Sequence, residues 1–117
     1  MENSAKEKIE DIIKTRKKAH TYYLKQSPVY NSFLDMEHKA FSDGKLTKLR
    51  KELIAVGISV VINCESCMEW HIKQSIDAGG TEEEIIEAIE VGIEMGGGPA
   101  TAYARFAMDV LEYYLKH

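Results

Sequence analysis

The sequence predicts an all-helical domain, a bundle of about six helices of the kind in which short connections join amphipathic segments. Three observations lead there. Apolar residues recur at three- and four-residue spacing through most of the chain, which lays them along one face of a helix. Capping residues and glycine stops cut that pattern into helix-sized pieces. Alternation with a period of two, the mark of a half-buried strand, is scarce.

The elements follow in order. Ser4 with Glu7 reads as a capping box ahead of Ile9, Ile12 and Ile13, opening a first helix whose apolar face reaches toward Tyr23 and Leu24. Ser27-Pro28 starts a second helix, proline suiting the first helical position, and the Asp43-Gly44 turn ends it. A third helix runs from Leu46 through Leu49, Leu53, Val56 and Val60, and Ile54, Ile58, Val61 and Ile62 widen its stripe until it should be buried nearly all round. Asn63 would cap a fourth helix beginning at Cys64 and stopped by Gly79-Gly80. Thr81 and Glu84 form the clearest capping box, opening a fifth helix through Ile85, Ile86, Ile89 and Ile93. Gly96 to Pro99 breaks the chain, and a last helix uses Tyr103, Phe106, Val110 and Tyr114 as its inner face. The β-branched run LIAVGISVVIN before the cysteines resembles a strand feeding a thioredoxin-type motif. The residues after Ile72 show only helical spacing, so such a sheet would lack its further strands.

With 117 residues the chain has the length of one domain, and no linker or repeat divides it. Its 44% apolar and 29% charged residues are globular proportions that exclude a disordered chain. A net charge of -4 leaves no excess of positive charge to neutralise phosphates, which argues against nucleic acid and for small molecules or proteins as partners. The polar start MENSAKEKIED lacks the layout of a secretory signal. The longest apolar run, Leu53 to Ile62, has about half the roughly 20 residues of a membrane span. A cytoplasmic location is expected, with no membrane partner and no bound cofactor.

Two cysteines three residues apart close too small a loop to hold a fold together, so in a cytoplasmic chain they point to redox chemistry or metal binding. Cys64-Glu65-Ser66-Cys67 at a helix start places both sulfurs on one face, within reach of a disulfide. The amino end of the helix favours thiolate, chiefly at Cys64. His71 lies one turn beyond Cys67 and is placed to act on that sulfur as base or charge partner. Zinc is the other use of Cys64, Cys67 and His71, but zinc sites draw a second ligand pair from elsewhere, and His20, His38 and His117 are scattered. Trp70, Met68 and Met95 raise the idea of an apolar pocket, although such residues at helical spacing more often form plain core. Glu52 stands near Lys48 and Lys51, which would make it a solvated surface ion partner. Its place beside Leu53 and Val56 also allows the core edge, where it would orient His71 and store a proton.

The stretch ELIAVGISVVINCESCMEWH from Glu52, followed by AGGTEEEIIEAIEVGIEMGGGPA, resembles the carboxymuconolactone decarboxylase superfamily in its AhpD-like alkylhydroperoxidase branch. The motif region is 46–99, and Glu52, Cys64, Cys67 and His71 match the branch's glutamate, CxxC pair and histidine. The resemblance implies an all-helical fold, a redox-active dithiol in peroxide defence, and a proton relay from Glu52 and His71 to a cysteine, with Cys67 less exposed than Cys64. It also implies a homotrimer or homohexamer. Some members carry a second histidine between the cysteines, where this chain has Ser66, so a relay through it is not available. The reaction expected is reduction of a hydroperoxide or a protein disulfide, with a thioredoxin-like or lipoyl dithiol as reductant. A lactone-acid decarboxylase using His71 and Glu52 alone, or a non-enzymatic zinc module, are the alternatives.

Overall fold

Helix boundaries in this chain are written by side chains that satisfy the unpaired N–H groups of each first turn. A computed structural model describes residues 3–116 and contains α1 (Asn3–Gln26), α2 (Pro28–Phe41), α3 (Lys48–Val61), α4 (Glu65–Asp77), α5 (Glu82–Gly96) and α6 (Gly98–Lys116), with no strand among those residues. Ser27 caps α2 by accepting from the Tyr30 N–H at 3.0 Å. Thr47 caps α3, which begins at Lys48, two residues later than the apolar pattern suggests. Thr81 and Glu84 form the reciprocal capping box of α5. The end of α4 is a glycine stop, with Gly79 at φ +95° and the Gly80 N–H returning to the Ser75 carbonyl at 2.8 Å.

α3 is the central helix, packed most extensively on α5 and α4, while α6 closes the other side of both. The close approach of α3 and α5 depends on two glycines. A Cβ added at Gly92 would lie 2.6 Å from the Gly57 carbonyl oxygen and 3.0 Å from Cβ of Val60. The core joins Ile9 of α1 to Val56, Val60, Met68, Ile72, Ile85, Ile89 and the α6 face of Ala100, Ala104, Ala107, Val110 and Leu111. Burying each large aliphatic side chain here contributes about 1.5–3 kcal/mol. α2 holds no fully buried residue and sits against α1 and α3 as an outer cover.

Four expectations need correction. Ser4 lies inside α1, which already includes Asn3, so it is not the cap. Tyr23 and Leu24 are exposed, and the Tyr23 ring packs on the outer helix, against Tyr30 with centroids 5.4 Å apart. α3 is not buried all round: Ile54, Ile58 and Ile62 each keep more than half of their surface, and Val61 is also exposed. Its widened stripe is a surface, not a core. Of Trp70, Met68 and Met95, whose helical spacing favoured plain core over a pocket, Met68 is in the core but Met95 is exposed on α5.

Candidate functional site

The connection between α3 and α4 sets the site. Asn63 adopts the left-handed conformation at φ +54°, which asparagine tolerates better than most residues. The chain reverses there, and the Cys64 N–H donates to the Ser59 carbonyl at 3.0 Å, tying it to the last turn of α3. The cap of α4 is therefore Cys64 rather than Asn63, and the helix begins at Glu65. Cys64 Sγ accepts from the Cys67 N–H at 3.2 Å. This is the place where a helix terminus most favours a thiolate.

Cys64 and Cys67 are joined in a disulfide with their Cα atoms 5.2 Å apart. Both are half-buried in this oxidised state. His71 follows one turn after Cys67 on α4. Its Nδ1 is 2.7 Å from Oε1 of Glu52, which reaches across from α3 and is almost fully buried. A carboxylate accepts only, so Nδ1–H is the donor and Nε2 is the nitrogen left for proton exchange. The Phe41 ring, at the end of α2, stacks on the imidazole with centroids 5.2 Å apart and an interplanar angle of 25°. The Ser75 hydroxyl donates to the His71 carbonyl at 2.8 Å and steadies the next turn.

Glu52 takes the buried of the two places its sequence position allowed, and keeps the lysine pairing of the other. Lys48 Nζ lies 2.8 Å from Oε2, as the four-residue spacing suggests, but the carboxylate it pairs with is buried and faces His71. Lys48 and Phe41 are the two site residues that the sequence reading did not single out as functional. The signal for Lys48 was its spacing from Glu52; Phe41 had none. Beside the pair, α2, α3 and α4 enclose a cavity of about 250 Å³ lined by Leu34, Glu37, His38, Phe41, Ser42, Lys48, Glu52, Trp70 and Gln74.

α4 is anchored on its other side by a buried ionic cluster. Glu69, fully buried, is paired with Arg16 of α1 and accepts from the Tyr114 hydroxyl of α6. The Arg16 guanidinium also lies 4.9 Å above the Trp70 ring. Burial pushes the Tyr114 phenol above its ordinary pKa, which keeps it a donor. Lys8 of α1 binds Glu65, between the cysteines, at 2.8 Å. Among the described residues no group of three or more His, Cys, Asp and Glu side chains is arranged to hold a metal ion. No helix among them is long and apolar enough to cross a membrane.

Comparison with known proteins gives a consistent picture. Residues 27–109 match the carboxymuconolactone decarboxylase family. An uncharacterised protein of the cox locus of Paracoccus denitrificans is 43% identical over 82 residues, covering 70% of this chain and 74% of the relative. An uncharacterised protein of Cupriavidus necator is 36% identical over 83 residues, covering 71% and 74%. A carboxymuconolactone decarboxylase family protein of Legionella pneumophila, solved in its apo form, superposes with a TM-score of 0.86 at 30% identity over 92% of this chain and 96% of its own. A family protein of Thermotoga maritima, for which an involvement in antioxidative response has been suggested, has a TM-score of 0.82 at 24% identity over 91% of each chain.

Proposed function

Starting from the carboxymuconolactone decarboxylase family, to which this chain belongs, we propose that it is a thiol-disulfide oxidoreductase of the AhpD-like type that reduces hydroperoxides or protein disulfides. The observation that carries the reading is the Cys64–Cys67 disulfide at the amino end of the helix that also presents His71 to buried Glu52. A redox pair, a base and an acceptor that fixes the tautomer of that base stand on two adjoining helices.

In the reduced protein His71 Nε2 takes the Cys67 proton, and Glu52 supports the imidazolium through Nδ1–H. The thiolate attacks the peroxide, breaking the O–O bond. The alkoxide leaves with the proton held by His71, and Cys67 becomes a sulfenic acid. Cys64 attacks that sulfur, water departs, and the disulfide forms. With a protein disulfide, the same thiolate forms a mixed disulfide that Cys64 resolves. A partner dithiol, thioredoxin-like or lipoyl, then returns two electrons and two protons by attack at Cys64, with Cys67 as leaving group. Ser66 keeps the relay to a single histidine. The setting we propose is the cytoplasm, with the protein assembled as a homotrimer or homohexamer.

Mild peroxide treatment of the reduced protein should remove two protons from the peptide holding Cys64 and Cys67, read by mass spectrometry. Two persistent, slowly alkylated thiols would sink the proposal. A decarboxylase-type lyase working through Glu52 and His71 alone predicts instead that Cys64→Ser, Cys67→Ser keeps full turnover, whereas the redox reading predicts its loss. Stoichiometric zinc in chelator-free preparations of reduced protein would favour the zinc module.

A further inference from the structure

Four ion pairs in the described residues join a lysine to a carboxylate four residues away on one helix. In three, Asp35–Lys39, Lys73–Asp77 and Glu112–Lys116, both side chains keep more than a third of their surface. Such pairs contribute little, because water competes for both charges. Lys48–Glu52 differs: the lysine is 41% exposed, but its carboxylate is 2% exposed and spends its other oxygen on His71. Each carboxylate oxygen therefore has its own partner, Oε2 the ammonium at 2.8 Å and Oε1 the imidazole Nδ1 at 2.7 Å.

We propose that Lys48 is a positioning residue of the relay, holding Oε2 so that Oε1 stays aimed at His71 and the imidazole keeps its proton on Nδ1. The proposal rests on the redox reading of the Cys64–Cys67 pair. A neutral imidazole carries one ring proton, and as a base toward Cys67 it is useful only with that proton on Nδ1 and the Nε2 lone pair free. Lys48 reaches Glu52 from the preceding turn of the same helix, so its clamp is internal to α3, while His71 comes from α4. Both Lys48 and Glu52 line the cavity under α2, as do Glu37, His38 and Gln74. Without the ammonium, water entering that cavity bonds to Oε2 and the carboxylate can turn within its pocket. The Nε2–H tautomer then gains population, and a fraction of His71 can no longer accept a proton. The charged and titratable groups on this carboxylate or its cavity are Lys48 from α3, His71 from α4, and Glu37 and His38 from α2.

Lys48→Met and Lys48→Arg separate this role from plain packing. In the full-length reduced protein, ¹⁵N NMR of the His71 ring reads the tautomer directly, and iodoacetamide alkylation from pH 5 to 9 reads thiolate formation. Wild type and Lys48→Arg should show Nδ1–H, whereas Lys48→Met should show an averaged ring. Alkylation by Lys48→Met should fall about tenfold at neutral pH, the low end of the loss when the hydrogen-bond partner of a metal-ligating histidine is removed, and its profile should move toward alkaline pH. An unchanged ring spectrum and pH profile in a folded Lys48→Met protein would overturn the proposal. Should methionine prevent folding, Lys48→Gln gives the same readouts with a neutral donor in place of the ammonium: an Nδ1–H ring supports the clamp, and an averaged ring despite a bonded Oε2 overturns it. If wild type turns over neither peroxide nor disulfide, the redox reading falls, and the ring spectrum still decides what Lys48 does.

Discussion

Glu69 and Glu52 sit on neighbouring helices, both buried and both paired with a cation, yet their surroundings give them different work. Glu52 faces a histidine and a cavity, and its ion partner is solvated. Glu69 faces Arg16 and Tyr114 and ties α4 to the first and last helices. Removing one member of a buried pair leaves the other uncompensated, at about 3–5 kcal/mol when burial is complete. Arg16 retains some exposure, so Glu69→Gln should cost roughly 3 kcal/mol in denaturant unfolding, at the low end of that range. A change below about 0.5 kcal/mol, the level of an ordinary surface substitution, would show the cluster to be incidental. The sequence made part of this scale legible. CxxC with a histidine one turn on marks out a candidate site, because the spacing alone puts the three groups on one face. The resemblance picked out Glu52, but its burial depends on α2 and α4 closing over it, and no local pattern encodes that. Phe41 lies on a distant helix and reaches His71 only through tertiary packing.

Between elements, α3 and α5 cross in close backbone contact at Gly57 and Gly92. A methyl group at Gly92 would meet backbone, which cannot turn aside as a flexible side chain does. Gly92→Ala should therefore lose about 1–3 kcal/mol as the helices are forced apart, measured by thermal or denaturant unfolding. A neutral or stabilising result would mean that the pair yields easily and alanine's helix propensity prevails. Caps that use ordinary residues, Ser27 and Thr81 with Glu84, were readable because their hydrogen bonds are local. The start of α4 was displaced by one residue in the sequence reading because cysteine is an unusual cap and asparagine a favoured one. The apolar run of α3 was read correctly as helix, but as core only in part: Val56 and Val60 are buried, whereas Ile54, Ile58 and Val61 are exposed. Periodicity reports which faces are apolar, not what covers them.

At the level of the whole molecule, two uncovered apolar faces stand out. α3 and α5 present Ile54, Ile58, Val61, Val91 and Met95 around a cleft of about 590 Å³ bordered by Glu84 and Glu87. The α1–α2 pair exposes Tyr22, Tyr23, Leu24, Val29, Phe33 and Met36. The first face lies beside an α5 rich in glutamate and without lysine or arginine, the second beside α1 with Lys14, Lys17, Lys18 and Lys25. Apolar patches with polar borders mark association surfaces, and opposite charge beside them favours the contact of one copy's α3–α5 face with another's α1–α2 face. Such a head-to-tail contact closes into a ring when its rotation allows. Light scattering coupled to size exclusion should give a multiple of the 13.2 kDa chain mass, and Ile58→Glu should return it to the monomer. A monomeric wild type would refute the proposed assembly.

The sulfur that caps α4 is also one of the two sulfurs of the disulfide. Oxidation and reduction thus do not happen beside the helix but at the knot that begins it. Whenever the S–S bond opens, the Cys67 amide exchanges a disulfide sulfur for a thiol or thiolate as its acceptor, and the first turn is retied. The redox cycle we propose and the architecture of the helix that carries His71 share a single atom, so in that cycle neither changes state without the other registering it.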